Sequence, residues 1–320
     1  INKLPVTFKG KFSFLNNGYD MDFDLQSKDS PLEDIFTAFP PEYLAWLDET
    51  KLKGKGEIKV SLAGKYIAEK EMPDFNMHLN IQNGFISNKK APAPIENIFL
   101  KMDVSLPQFD PQKMDLNIDS IYFNIEKDYF SGMLKMKGLD KAEIHTRIKS
   151  KLNLEKLDRA LGIASIDLKG IFDIDLIADG NYATSIVQSG IRKKDTVITS
   201  IPVFNLKGKL QNGYFKMTDL PQAVENISFN IEARALDSLY QNTSINISDI
   251  NMNVLANYLK GYIKLGNLST FPIDAKLESK FNLADVPKFY PLDSLELKGD
   301  LLIDVVTKGT YEPKRRLFPV

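Results

Sequence analysis

The chain of 320 residues contains no cysteine, two histidines and no long hydrophobic run. Without cysteine there is neither a disulfide framework nor a thiolate site, which fits an oxidising compartment outside the cytoplasm. No segment approaches the roughly 20 apolar residues of a membrane-spanning helix, and no signal peptide is recognised. We therefore expect a piece of a longer protein whose membrane anchor lies outside it. Acidic and basic residues balance to a net charge of −1, so no nucleic-acid partner is predicted.

Few residues could carry enzyme chemistry. His78 and His145 fall at polar positions of alternating segments, where solvated side chains are the simplest interpretation, and without cysteine a transition-metal site is disfavoured. Carboxylates spaced as in Asp20-Met21-Asp22 follow strand alternation, which favours a solvated face over calcium or glycosidase chemistry. No nucleophile elbow or phosphate-binding loop occurs. We predict no cofactor, no metal and no enzymatic activity.

The sequence repeats itself. Residues 72–182 match residues 201–311 without a gap, at a constant offset of 129 positions. Asn83-Gly84, for example, returns as Asn212-Gly213, and a looser, earlier copy ends at Leu52-Lys53-Gly54. An ungapped register over this length is the signature of a repeat protein.

We therefore predict one continuous structure in three parts. Residues 1–71 form the tail of a preceding module, with a helical insertion at about 30–48. Residues 72–200 form the first full module and residues 201–320 the second. The insertion contains a predicted capping box at Ser30-Pro31-Leu32-Glu33, with proline at the first helical position, and a second helical segment after Pro40-Pro41. Shorter helical turns are expected at residues 155–161 and 284–289.

Apolar and polar residues alternate through most of the chain. This period of two predicts half-buried strands, and sheets with one solvated face are typically antiparallel. The predicted fold class is mainly β: an elongated, repetitive antiparallel sheet curled into a trough or a sandwich, with a few short helices.

Local irregularities of this pattern also recur. The alternation changes phase at Asp119-Ser120 and again at Ser248-Asp249, which predicts a β-bulge at each place. Asn83-Gly84 and Asn212-Gly213 predict tight hairpin turns with a positive φ.

A family resemblance follows from these motifs. Asn212-Gly213-Tyr214-Phe215, then Glu225-Asn226-Ile227, then Leu297-Lys298-Gly299, together with their earlier copies, resemble the pattern of the AsmA-like family. These are large periplasmic proteins of Gram-negative bacteria, anchored in the inner membrane and related to the TamB-type bridge proteins. The resemblance implies outer-membrane biogenesis and passage of lipid along a hydrophobic β groove. It supplies no catalytic residues.

Two functions are expected from this sequence. The first is a periplasmic segment, attached to the inner membrane in the full-length protein, whose apolar face shelters or conducts acyl chains of phospholipid or another membrane lipid. The alternative is a structural β-sandwich spacer or protein-interaction module without a lipid groove. The candidate lipid-facing residues are apolar members of the alternating segments: Phe12, Phe14, Phe23, Ile58, Val60, Ile144, Ile148, Leu168, Phe172, Ile174, Ile247, Met252, Ile273, Leu277, Leu297, Leu301 and Ile303.

Overall fold

A computed structural model describes most of the chain, namely residues 3–37, 49–89, 91, 93–161, 165–188, 194–268, 270–288 and 297–310. The helical segment predicted after Pro40-Pro41 lies outside these residues. By internal contacts the chain divides into two compact units. The first consists of Ile1–Ile148 with Ala178–Ser200, and the second of Lys149–Ile177 with Ile201–Val320.

The described residues are mainly β. In chain order the elements are β1 (Thr7–Leu15), β2 (Gly18–Pro31), α1 (Leu32–Phe36), β3 (Thr50–Tyr66), β4 (Asp74–Asn88), β5 (Ile95–Leu106), β6 (Asp115–Ile125), β7 (Asp128–Lys137), β8 (Glu143–Asn153), α2 (Leu154–Leu161), β9 (Ile166–Asn181), β10 (Ala183–Gln188), β11 (Lys194–Ser200), β12 (Val203–Met217), β13 (Val224–Ala235), β14 (Ser244–Val254), β15 (Asn257–Leu265), β16 (Pro272–Asn282) and β17 (Asp300–Thr310). Single 3-10 turns occupy Pro107–Phe109, Pro111–Lys113, Tyr240–Asn242 and Leu283–Lys288.

Fifteen strands belong to one sheet, hydrogen-bonded in the order β1 to β9 and then β12 to β17. Neighbouring strands of the sheet are antiparallel, as between β3 and β4 or between β15 and β16. Strands β10 and β11 form a separate two-stranded sheet. The prediction of a mainly β, antiparallel fold with a few short helices is confirmed.

The repeat is present in the structure as well as in the sequence. The first residues of β4, β5, β6, β7 and β8 each lie 129 positions before those of β12, β13, β14, β15 and β16. A helical turn follows the last of these strands in both copies, at α2 and at Leu283–Lys288. Asn153 and Asn282 end the two strands and accept hydrogen bonds from the Lys156 and Ala284 amides. Equal sequence patterns therefore give equal strand bounds.

Both predicted phase changes are β-bulges. The β6–β7 register shifts between Ile118 and Ile121, and the β14–β15 register shifts between Ile247 and Ile250. An extra residue in one strand restores the apolar side chains to the same face after the shift.

The hairpin turns predicted at the two Asn-Gly pairs are wrong. Asn83 and Asn212 have φ values of 52° and 51°, so the positive φ is confirmed. However, each pair lies inside a strand, where the register shifts between Ile81 and Gly84 and between Leu210 and Gly213. Because pairing with the same neighbour resumes on both sides, the left-handed residue forms a bulge rather than a chain reversal.

The predicted capping box is also wrong. Helix α1 begins at Leu32 with Pro31 at its N-cap and without a side-chain cap. Ser30 still belongs to β2, and its buried hydroxyl lies 2.5 Å from the Ser27 hydroxyl. Because the Ser30 hydroxyl contacts Ser27, it does not cap the helix.

Helix α1 covers part of one sheet face in the first unit. Leu32 and Ile35 form a buried cluster with Leu4 and Ile81 of β4. Beneath the helix, Gly56 of β3 has no room for a side chain, because an added Cβ would lie 2.5 Å from Ile35 Cδ1. This packing fixes the N-terminal segment and α1 on the apolar side of the sheet.

Candidate functional site

One face of the sheet in the first unit is apolar across successive strands. Phe23 of β2 pairs with Leu62 of β3, Leu62 with Phe75 of β4, and Phe75 with Leu106 of β5. Directly opposed residues of an antiparallel pair project from the same face, so these four side chains form a row. The next row consists of Leu25, Val60, Met77, Val104, Leu116 and Met136.

The second unit carries an apolar face of the same construction. Met252 of β14 pairs with Leu259 of β15, which pairs with Ser279 of β16, which in turn pairs with Ile303 of β17. The next two rows are also mainly apolar: Ile250, Gly261, Leu277 and Val305, and then Ile247, Ile263, Ala275 and Thr307.

The sequence-predicted face residues can now be placed by these registers. Within the first unit, the pairings put on one face Phe12, Phe14, Phe23, Ile58 and Val60. Within the second unit, they put on one face Ile247, Met252, Ile273, Leu277, Leu301 and Ile303.

The remaining candidates lie on strands β8 and β9 or before β17. Ile144 and Ile148 alternate along one side of β8, while Leu168, Phe172 and Ile174 alternate along one side of β9. Leu297 precedes β17 and is half-buried.

None of the 17 candidates is buried. Phe12, Phe14 and Leu301 are 45%, 82% and 46% exposed, and the other candidates are half-buried. Ile58 differs from the rest, because it packs against the cluster beneath α1. The candidate side chains are therefore partly accessible to solvent in the described part of each unit.

Aromatic rings concentrate on strands β1 and β2. Phe12 stacks on Phe23 and Tyr19 with centroid separations of 6.1 and 5.3 Å, and Phe14 meets Tyr19 edge-on at 5.9 Å. Such contacts between rings stabilise the pair of strands. They leave Phe8 and Phe14 more than half exposed.

The second unit contains an apolar hollow of about 290 Å³ on its face. Met252, Leu259 and Phe281 supply its apolar wall. At its margin, buried Asn257 donates to the Asp285 carboxylate at 3.0 Å and accepts from the Asn282 amide. These hydrogen bonds satisfy the amide, so the polar group closest to the hollow does not interrupt its apolar wall.

The opposite face is charged and ion-paired. Lys101 of β5 contacts Asp119 of β6 at 2.5 Å, and Lys260 of β15 contacts Glu278 of β16 at 2.9 Å. The hydrogen bond from Lys101 lowers the pKa of Asp119, and the hydrogen bond from Lys260 lowers the pKa of Glu278. Solvent-exposed pairs of this kind add little stability. Their main effect is to keep this face polar and solvated.

The two histidines lie on the charged side. His78 Nδ1 is 2.6 Å from Asp103 Oδ1. His145 lies 2.6 Å from Asp179 and 3.3 Å from Glu143, and these hydrogen bonds, above all that with Asp179, raise the pKa of His145. Among the described residues, no group of histidine, aspartate and glutamate is arranged to hold a metal ion.

The structure extends the apolar face beyond the residues named from the sequence. Met77, Leu79 and Val104 lie between the predicted positions and complete the rows. The alternation of Met77 and Leu79 with Asn76 and His78 along β4, and of Met102 and Val104 with Asp103 along β5, was the signal that could have found them.

In the part of the chain that the structure describes, no helix is long and apolar enough to cross a membrane. No family model, curated protein or solved structure matches the chain.

Proposed function

We propose that the chain is a non-enzymatic periplasmic segment of an AsmA-like protein that takes part in outer-membrane biogenesis. Its apolar sheet face shelters or conducts the acyl chains of phospholipid or another membrane lipid. In the full-length protein the segment is attached to the inner membrane. The observation that carries this proposal is the apolar face of each unit, on which all 17 candidate side chains are half-buried or exposed.

The size of the face supports an extended apolar ligand. Seven strands spaced about 4.8 Å apart, taken over about nine residues each, make a face of roughly 900 Å² in the first unit. Helix α1 covers only one end of it. The largest apolar patch on a typical soluble monomer is about 300–600 Å². A partly covered face with this outline offers room for an extended apolar ligand or partner.

The second unit argues against a packed spacer. Its buried apolar side chains among the described residues are Leu152, Ala160, Ala233, Ala235 and Ala275. A sandwich core would bury large side chains from both facing sheets. Leucine and isoleucine side chains such as Leu277 and Ile303 are present, but they remain half-buried.

The two faces of the sheet differ in polarity. An acyl chain fits the apolar face, and water solvates the charged face. Apolar rows occupy one face, and cross-strand ion pairs such as Lys260–Glu278 occupy the other. Lipid tails require no hydrogen-bond partner, so a predominantly apolar face is complementary to them. The same face would reject a charged or strongly hydrated ligand.

The test is to identify what purified chain carries after mixing with phospholipid vesicles and separation from them. Native mass spectrometry is expected to detect masses of chain plus phospholipid, and solvent extraction should recover the same lipid. The paired variants are Leu277→Asp on the apolar face and Lys276→Asp on the opposite face of the same strand. The first should lose most of the bound lipid and the second should retain it.

Two outcomes would contradict the proposal. One is a folded wild-type chain that never carries lipid. The other is equal lipid content in both variants, since binding would then not depend on the apolar face. Wholesale unfolding of Leu277→Asp without lipid in the wild type would favour the spacer.

A further inference from the structure

Gly54 of β3 lies directly against the Asn83-Gly84 bulge of the neighbouring strand β4. Gly54 has a φ of 109°, and an added Cβ would lie 2.7 Å from both the Asn83 carbonyl oxygen and Gly84 Cα. Real Cβ atoms do not approach backbone this closely, so the space beside Gly54 is filled by the bulge. Beyond it, the Lys89 amide donates to the Glu49 carbonyl.

The same junction occurs in the second unit. Gly170 on β9 has a φ of 117°, and an added Cβ would lie 2.8 Å from Gly213 Cα and 2.9 Å from the Gln211 carbonyl oxygen. Strand β12, which carries that bulge, is the hydrogen-bonded neighbour of β9. The Thr218 amide donates to the Ser165 carbonyl at the position equivalent to the Lys89–Glu49 contact. The chain thus contains two copies of this arrangement. In each copy, a glycine of one strand lies against the Asn-Gly bulge of the neighbouring strand.

A third glycine of this kind has no such neighbour. Gly299, directly before β17, has a φ of 111°, and apart from its chain neighbours no described residue has an atom within 4 Å of where its Cβ would be. β17 pairs with β16 and is the last of the described strands in the order of the sheet. Its side chains Leu302 and Val306 are 71% and 65% exposed. The backbone at Gly299 has nearly the same φ as at Gly54 and Gly170, but the described residues supply no bulge beside it.

We propose that the open edge of β17 binds an added antiparallel strand of the β4 and β12 kind, whose Asn-Gly bulge seats against Gly299. Backbone hydrogen bonds would supply affinity, as in other strand additions to a sheet edge. The Asn-Gly bulge would supply register, because Gly299, like Gly54 and Gly170, carries no Cβ where the backbone of the bulge would lie. The added strand would also cover part of Leu302 and Val306. This inference is independent of lipid binding.

The experiment adds a labelled peptide of the sequence Val203–Met217 to the full chain. Fluorescence anisotropy is expected to show saturable binding, and hydrogen exchange should slow in β17 while the opposite edge strand, β1, is unchanged. A peptide carrying Asn212→Val disfavours the left-handed backbone of the bulge and should bind about tenfold more weakly or worse, which corresponds to a loss of about 1.4 kcal/mol. A scrambled peptide should not bind.

Chain variants locate the site. Gly299→Val fills the empty space and should weaken peptide binding by about tenfold or more. The matched control, Gly10→Val in β1, should leave binding unchanged. Hydrogen exchange of the wild-type chain needs no variant, so the inference stays testable if a variant misfolds.

Several results would overturn the inference. These are no binding by the wild-type chain, equal binding of the scrambled peptide, or protection at strands other than β17. Concentration-dependent protection of β17 without peptide would also overturn it, because a second copy of the chain would then occupy the edge.

Discussion

The apolar face of the first unit has a covered end and an open end, and both lie along a single strand. On β4, Ile81 is 8% exposed and packs with Leu4, Leu32 and Ile35. Met77, four residues earlier on the same face, is half-buried and does not join that cluster. The two residues share a strand, a face and an apolar character. Only the layer above them differs.

This contrast separates two uses of one sequence pattern. At the covered end, apolar side chains stabilise the fold by packing, at about 25 cal/mol per Å² removed from water. At the open end, the apolar side chains stay partly in contact with water in the ligand-free protein, so they do not contribute this stabilisation. Apolar surface at the open end is therefore available to a ligand.

The largest effect is expected at the covered end. Ile81→Asp would bury a carboxylate without a partner beneath α1, which costs several kcal/mol. Met77→Asp places the same carboxylate at the open end, where water reaches it, and should cost about 1 kcal/mol. Denaturant unfolding of both variants measures the difference.

The control for this pair is Asn76→Asp, on the charged face between Phe75 and Met77. Its stability should lie within about 0.5 kcal/mol of the wild type. Equal, large losses for Ile81→Asp and Met77→Asp would remove the distinction between covered and open ends.

A covered and an open glycine provide the next test. Gly170→Val would drive a side chain into the backbone of β12, whereas Gly299→Val meets no described atom. Both glycines have a similar positive φ, 117° and 111°, so backbone strain contributes about equally to both variants. We expect Gly170→Val to be less stable than Gly299→Val by about 2 kcal/mol, measured by denaturant unfolding. Equal losses would mean that strain alone decides the effect.

In the second unit, Leu277→Asp and Lys276→Asp compare the two faces of β16. Because Leu277 is half-buried, its replacement should cost only about 1–2 kcal/mol. Lys276→Asp should change the unfolding free energy by about 0.5 kcal/mol or less. Loss of all cooperative unfolding in Leu277→Asp would show that this face is packed after all.

The smallest effect concerns His145 on the charged face. Asp179 and Glu143 raise the pKa of His145 above its ordinary value. The stabilising contribution is therefore complete below about pH 6.5 and is lost as the pH rises through the higher pKa of the folded protein. Asp179→Asn should lower the His145 pKa, and Glu143→Gln should lower it less. Imidazole proton shifts followed by NMR measure this, and an unchanged pKa in Asp179→Asn would contradict the assignment.

Sequence periodicity predicted the strands because alternation is local. The bulges at Asp119-Ser120 and Ser248-Asp249 followed for the same reason, since a phase change is visible within one strand. The Asn-Gly bulges were mistaken for hairpins because the dipeptide specifies a positive φ but not whether the chain reverses. That outcome depends on the neighbouring strand.

The sequence could not predict which part of the apolar face other residues cover. Ile81 and Met77 look alike in the sequence, and their difference arises from Leu4, Leu32 and Ile35, which lie far away along the chain. The β10–β11 hairpin was missed because its alternation is short and apolar residues occur on both faces, with Ile186 71% and Val187 40% exposed.

The most direct test of the central claim is a photo-crosslinking scan along β4. A photoreactive amino acid replaces each residue from Phe75 to Asn80 in turn, and each purified variant is mixed with vesicles of radiolabelled phospholipid before irradiation. The account predicts labelled adducts at 75, 77 and 79 and none at 76, 78 and 80, because successive side chains of a strand point to opposite faces. Adducts at neither set, or equally at both, would contradict it.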